Sequence, residues 1–464
     1  MSKQKNTALV LIISIVVLAA TVVSLLLTRD APESEPQSSE QSDSMQQINL
    51  VQKDIGDIKR IQVENEAGGF VVEPTEPGVE SYFISELQSL SVNAAAVKSM
   101  VLSSFQIVSA DPVGKVDDLS EFGLDSPKAV VTTTFLDGTQ FVYYVGDTIY
   151  SDEGARYMCA KDTNYVYIAQ CDEHLLKNSA SFLENTVLSL SDDGGDAAEV
   201  EKITISGTFY QKEINIEKNG DAYQMTTPVV SGCAAGLVDN LAFSITNVAG
   251  KAVEVHPSAG TLKKYGLHAP PAVVRFVAKG ESYQLSAAKK DDDTYYLMRE
   301  GVPVIYEVAA DSADAWAATS SFSLRDKKLT EASADTVQTL TVKTGGKTVT
   351  FTVSRTRDDE KSTELIAAYQ YSVKAKGEPV PVEEYQNAVA GLAALSLTGE
   401  TDKGYDAQPS IIIIYTTFEN GEHTMKFYPL EKESYAVWSD GQRFGVLEKD
   451  GLDTAVRRFF SLAK

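Results

Sequence analysis

Phe122-Gly123-Leu124-Asp125-Ser126-Pro127 reads as a turn that launches a strand, and the chain writes it more than once. Tyr265-Gly266-Leu267-His268-Ala269-Pro270 repeats it, and Lys403-Gly404-Tyr405-Asp406-Ala407-Gln408-Pro409 is a worn copy with one residue inserted. Gly123, Gly266 and Gly404 allow a positive φ where the chain reverses. Pro127, Pro270 and Pro409 bias the residue before them toward extended structure. The strands expected next are Ala129–Leu136, Ala272–Ala278 and Ser410–Phe418, each entering a tight hairpin at Asp137-Gly138, Lys279-Gly280 or Asn420-Gly421.

Working outward, the same interval recurs. Strand-like runs open at Ile58, Val200 and Val337, 142 and 137 residues apart (200 − 58 and 337 − 200). Tyr157, Tyr296 and Tyr435 are spaced by 139, as are Asp172, Asp311 and Asp450. A period this long is a whole domain rather than a solenoid repeat, and 464 residues suit about three domains. The ranges expected are 48–190, 198–330 and 335–464, joined by acidic stretches at Ser191–Glu199 and Arg325–Asp335.

Each copy opens with two β runs and then a helix. Apolar residues recur at helical spacing at Val97, Met100, Val101 and Phe105, at Leu237, Leu241 and Ile245, and at Tyr385, Val389, Leu392 and Leu395. These are core stripes. After the glycine turn come two hairpins, the second with Asn164, Gly301 or Gly441 near its tip, and Asp172, Asp311 and Asp450 are placed to cap a closing helix. The fold class expected is α+β: three tandem repeats of a mostly antiparallel sheet with covering helices, after one N-terminal transmembrane helix.

That helix is expected at 7–27, a run of 21 residues without a charge, long enough for a hydrocarbon core of ~30 Å. Lys3 and Lys5 precede it, so residues 1–6 form a cytoplasmic tail and the repeats lie outside the cell, single-pass at the cell membrane. A cleaved signal peptide is the rival reading, against which stand the length of the run and the lack of a small-x-small site. Residues 30–47, rich in Ser, Glu, Gln and Pro, read as a disordered tether.

The net charge of −24 argues against nucleic acid as a partner. Three cysteines are an odd number. Cys159 and Cys171 flank a hairpin; with Thr163 at its centre Cys159 faces Tyr167 rather than Cys171, and Cys233 has no evident mate. The four histidines, His174, His256, His268 and His423, lack metal-ligand spacing. There is no G-x-S-x-G elbow and no phosphate-binding loop. Asp291-Asp292-Asp293 reads as a solvated hairpin, and Asp192–Asp196 as a linker, with weak calcium binding the alternative. No catalytic, cofactor-binding or metal residue is nominated. Among 21 tyrosines, Tyr165, Tyr167, Tyr296 and Tyr306 form a candidate binding face, although cross-strand packing explains such tyrosines directly.

With its glycine turns, xDG hairpin, repeated β start plus helix and N-terminal apolar span, the chain resembles the bacterial domain-of-unknown-function family 4340. Phe122–Pro127 with Asp137-Gly138 matches best, Tyr265–Pro270 nearly as well, and the third copy departs by Gly404-Tyr405 and the inserted residue. Members are often encoded beside an ABC transporter ATPase, its permease and a gliding-motility-type auxiliary membrane protein. The resemblance implies a membrane-anchored, extracytoplasmic, non-enzymatic accessory or scaffold protein whose partner is the permease or auxiliary subunit, and it brings no catalytic residues. The alternative is a cell-envelope glycan- or peptide-binding module. An enzyme whose triad comes from distant residues is the third option.

Overall fold

The computed structural model describes residues 48–109, 111–149, 154–191, 198–360, 362, 368–401, 408–419, 421–430 and 433–464. Three large antiparallel sheets share one central strand order, and the first two add an edge strand that the third lacks. In the first, Ile58–Asn65 sits centrally with Phe70–Pro74 and Tyr82–Ile84 on one side. On its other side come Ala129–Phe135, Gln140–Thr148, Ala155–Ala160, Tyr165–Gln170 and, at the edge, Asp111–Lys115. The second sheet places Val200–Ser206 centrally, beside Ala272–Ala278, and ends on Lys251–Val255. The third places Val337–Thr344 beside Ile411–Thr417 and ends on Gln442–Glu448.

The alternating strands dictate these sheets. In Ala129–Phe135 every second residue is buried, and Ile61, Val63, Ile203, Ile205, Leu340 and Val342 occupy matching core positions. Burying each such aliphatic side chain stabilises by about 1.5–3 kcal/mol. Each central strand also shifts register near its start, between Ile58 and Arg60, Val200 and Lys202, and Val337 and Thr339. A bulge at the same place in three sheets is a built-in bend, adding twist where the strand meets its neighbour.

The first helix of each unit is Ala94–Ser104, Ala235–Thr246 or Val382–Ala393. In the second of these the buried stripe is Val238, Leu241, Ala242 and Ile245, whereas Leu237 is half exposed, at 50%. The closing element differs in each unit. Residues 173–182 form two 3-10 turns, Glu173–Leu176 and Ser179–Phe182, broken where the Asn178 amide donates to the Val253 carbonyl of the second unit at 3.0 Å. Its counterpart is a helix at Ala310–Ala317 followed by a turn at Ser321–Leu324, and the third is an unbroken helix, Lys449–Leu462.

Asn49–Lys464 forms one compact unit. Thr186–Ser189, at the end of the first expected range, pairs with Asn247–Ala249 in the second. Residues 327–329 run against 395–397 through Leu397 N to Lys327 O at 2.7 Å and Leu329 N to Leu395 O at 2.9 Å.

The expected transmembrane helix does not stand as part of this fold, nor does the single-pass location with repeats outside the cell. Among the described residues no helix is long and apolar enough to cross a membrane. The 14 residues of Lys449–Leu462 reach about 21 Å, short of a ~30 Å core. The expected tail 1–6, span 7–27 and tether 30–47 lie outside the described residues, as do Gly404 and Asp192–Asp196.

Candidate functional site

The repeated turn is structural. Gly123 ends a 3-10 turn at φ 64°, where a Cβ would meet the Asp147 carboxylate, and Gly266 follows the helix Ala259–Lys264 at φ 72°. The residues flanking each glycine build a small second core on the outer face of the sheet. Leu124 packs with Cys159 and Val166, and Leu267 with Ala288 and Ile305. The ring before each glycine meets a hairpin tyrosine edge to face, Phe122 on Tyr157 at 4.9 Å and Tyr265 on Tyr296 at 4.6 Å. Pro127, Pro270 and Pro409 stand just before the strands that open at Ala129, Ala272 and Ile411.

Of the candidate caps, Asp172 accepts from the His174 N–H at 2.9 Å at the start of its turn. Asp311 and Asp450 lie inside the first turn of their helices, after Ala309 and Glu448. There a carboxylate complements the positive end of the helix dipole without being the cap. The tyrosines do not gather into one open face. Tyr167 and Tyr306 are buried, Tyr296 packs on Tyr265, and Tyr165 is 39% exposed with its ring 5.0 Å from Tyr167.

Two histidines pair with nearby carboxylates, whereas His256 Nε2 reaches the Glu86 carbonyl of the first unit at 2.8 Å. His174 Nδ1 pairs with Asp172 at 2.7 Å and the ring stacks on Phe182, while His423 Nδ1 pairs with Asp440 at 2.9 Å and stacks on Tyr415. All three cysteines are free thiols, and Cys159 faces Val166 rather than Tyr167. Burial pushes Cys171 and Cys233 up to about 11, away from the nucleophilic thiolate. Among the described residues no group of three or more His, Cys, Asp or Glu side chains could hold a metal ion.

A different place concentrates binding chemistry. A cavity of about 710 Å³ opens between the second and third units, walled by Phe209–Lys212, Thr319–Ser321, Arg325, Glu400 and the hairpin from Trp438 to Gly445. Arg325 is its most constrained member, at 1% exposure. Its Nε donates to Ser231 Oγ at 3.2 Å, its Nη1 lies 3.4 Å from Glu400 Oε1, and its guanidinium sits 4.8 Å from the Phe444 ring centre. Its Nη2 is buried with no hydrogen-bond partner. Burial lowers the guanidinium's affinity for its proton and the Glu400 carboxylate opposes that.

Around Arg325 the cleft carries aromatic and hydroxyl groups. Phe209 is 63% exposed, and Tyr210 donates to the Trp316 carbonyl, with burial pushing its phenol up to about 12. Arg443 lies 6.0 Å from the centre of the Trp438 ring, and Ser321 donates to Glu400 at 3.3 Å. The Val230 N–H reaches Gln442 Oε1 at 3.4 Å across the joint. Sequence reasoning missed this site because its walls lie far apart in the chain and on two units. The available signal was Arg325, which opens the joint ahead of Lys327 and Lys328.

A family model described as Domain of unknown function (DUF4340) matches residues 83–231 and 224–409. The two matches begin 141 residues apart (224 − 83), the interval of the repeat. Neither a curated protein nor a solved structure matches.

Proposed function

We propose, on the premise that the chain belongs to the DUF4340 family, that it is a non-enzymatic accessory or scaffold subunit of an ABC-type transport system. In this reading the three sheets are a rigid frame, and the cleft between the second and third holds a ligand for the system. One observation carries it: the gap between the second and third units is lined by a buried guanidinium, Arg325, and by the exposed ring of Phe209. Those groups recognise and orient; concave sites of a few hundred Å³ with a few placed polar groups are the common form of a small-ligand site.

The cleft also favours a second reading, a glycan- or peptide-binding module that acts apart from a transporter. The two differ in partner. Crosslinking in cells followed by capture from detergent extracts is expected to recover the permease or auxiliary subunit of an ABC-type transporter. Capture that returns neither, with the cleft still binding ligand, removes the transporter from the account and leaves the second reading.

A further inference from the structure

The cleft's charge runs against the rest of the molecule. Among its described lining residues Lys212 and Arg325 outnumber the carboxylate of Glu400, in a chain of net charge −24. A local cationic surplus inside an acidic protein is a field that draws anions to that place.

The buried guanidinium gives that field a fixed point. Arg325 is held by Ser231 and Phe444, so its fork is already ordered. Its contact with Glu400 is long at 3.4 Å, and Nη2 is unpartnered. A buried donor without a partner is destabilising, and an oxyanion that reached it as Glu400 moved aside would relieve that. Arginine suits a carboxylate because its planar fork matches two oxygens at once. Glu400 is 40% exposed along its side chain and held otherwise by the surface hydroxyl of Ser321, so it can swing toward solvent as a ligand group takes its place.

The rings define the rest of the ligand. Phe209 is 63% exposed at the cleft and the Trp438 ring is half-buried beside Arg443, while Thr319, Ser320 and Gln442, which also bond Ser323 and Val230, add neutral polar groups to the lining. Faces for CH-rich surfaces alternating with hydroxyls and amides fit a sugar ring better than an apolar chain.

We infer that the cleft binds a carboxylate-bearing saccharide, Arg325 taking the carboxylate and Phe209 and Trp438 the sugar faces. The inference rests on reading the cleft as a ligand site and goes further by naming the ligand class.

The full-length chain is titrated with trigalacturonate, with the matching neutral galactotriose and with triglutamate, followed by calorimetry and tryptophan fluorescence. Trigalacturonate is expected to saturate, with the neutral sugar at least tenfold weaker and triglutamate weaker than both. Arg325→Lys, which keeps the charge and loses the fork, is expected to weaken trigalacturonate binding at least tenfold, as is the surface change Trp438→Ala. Glu400→Gln, which removes the internal competitor, is expected to tighten it severalfold. Equal affinity for acidic and neutral sugars overturns the role of Arg325. Tighter binding of triglutamate overturns the saccharide class while the cleft remains a ligand site. No saturation by any probe, in protein whose circular dichroism shows it folded, overturns the ligand site itself, and the transporter capture above decides the accessory role separately.

Discussion

Arg325 and Glu400 face each other across the joint between the second and third units at 3.4 Å, one 1% and the other 40% exposed along its side chain. The contact is lopsided. Losing Glu400 leaves Arg325 its Ser231 and Phe444 contacts, whereas losing Arg325 empties a packed position and strips Ser231 of its donor.

Glu400→Gln is therefore expected to cost at most about 1 kcal/mol. Arg325→Met should cost about 2–3 kcal/mol, from a charge-assisted hydrogen bond and a desolvated cation–π contact. Urea midpoints compare the two directly. Equal losses would mean that the pair itself, and not the seat of the arginine, holds the joint.

Gly123→Ala and Gly266→Ala each force a side chain into the left-handed region, at φ 64° and 72°. Each is expected to lose about 1 kcal/mol. Gly123→Ala should lose more, because its Cβ would also displace the Asp147 carboxylate at 2.6 Å, against 3.1 Å to Ala288 Cβ at Gly266. Thermal unfolding of the two variants gives the order.

Stability should fall as pH rises from about 10 toward 12. Burial raises the phenols of Tyr210 and Tyr435 from an ordinary value near 10 to about 12, with the Asp453 acceptor adding to the shift at Tyr435. In that window the unfolded chain has released protons that the folded chain keeps, so ν_U is below ν_N and the unfolding free energy decreases with pH. The stabilisation is full below about 10 and is lost through about 12. Tyr435→Phe should flatten the slope in a pH series read by circular dichroism. An unchanged slope would place the proton linkage elsewhere.

At neutral pH the thiols should be slow to react. Cys159 is fully buried, and burial holds Cys171 and Cys233 near 11. Ellman's reagent at pH 7.5 is expected to label the native protein slowly and three thiols promptly after denaturation. Prompt labelling of a native thiol would contradict the burial of these side chains.

Much of the sheet pattern was legible because its determinants are local. The strand Ala272–Ala278 occurs where Pro270 before it and the Lys279-Gly280 turn after it place it, and Gly123 and Gly266 end short helices as their positive φ requires. The equal spacing of Tyr157, Tyr296 and Tyr435 was only partly informative. Tyr157 and Tyr296 hold the third place of their strands and meet Phe122 and Tyr265. Tyr435 holds the second place, and its counterpart is Tyr295; both donate to a helix carboxylate, Asp453 at 2.8 Å and Asp314 at 2.7 Å. A period measured along the chain cannot tell which face of a strand a side chain takes, because one residue of slip reverses it. The cleft was hidden for a further reason. Phe209, Arg325, Glu400 and Trp438 meet through the packing of two units, and no spacing rule reaches across that.

In the function proposed above the chain holds an anionic ligand in this cleft and returns it unchanged. Native mass spectrometry of protein purified from its own cells, wild type beside Arg325→Lys, tests it most directly. A non-covalent anionic adduct is expected on the wild type, much reduced on the variant, that re-binds with the same mass after release and incubation with fresh protein. A released mass that the protein converts to another, or an adduct equally retained by Arg325→Lys, would contradict it.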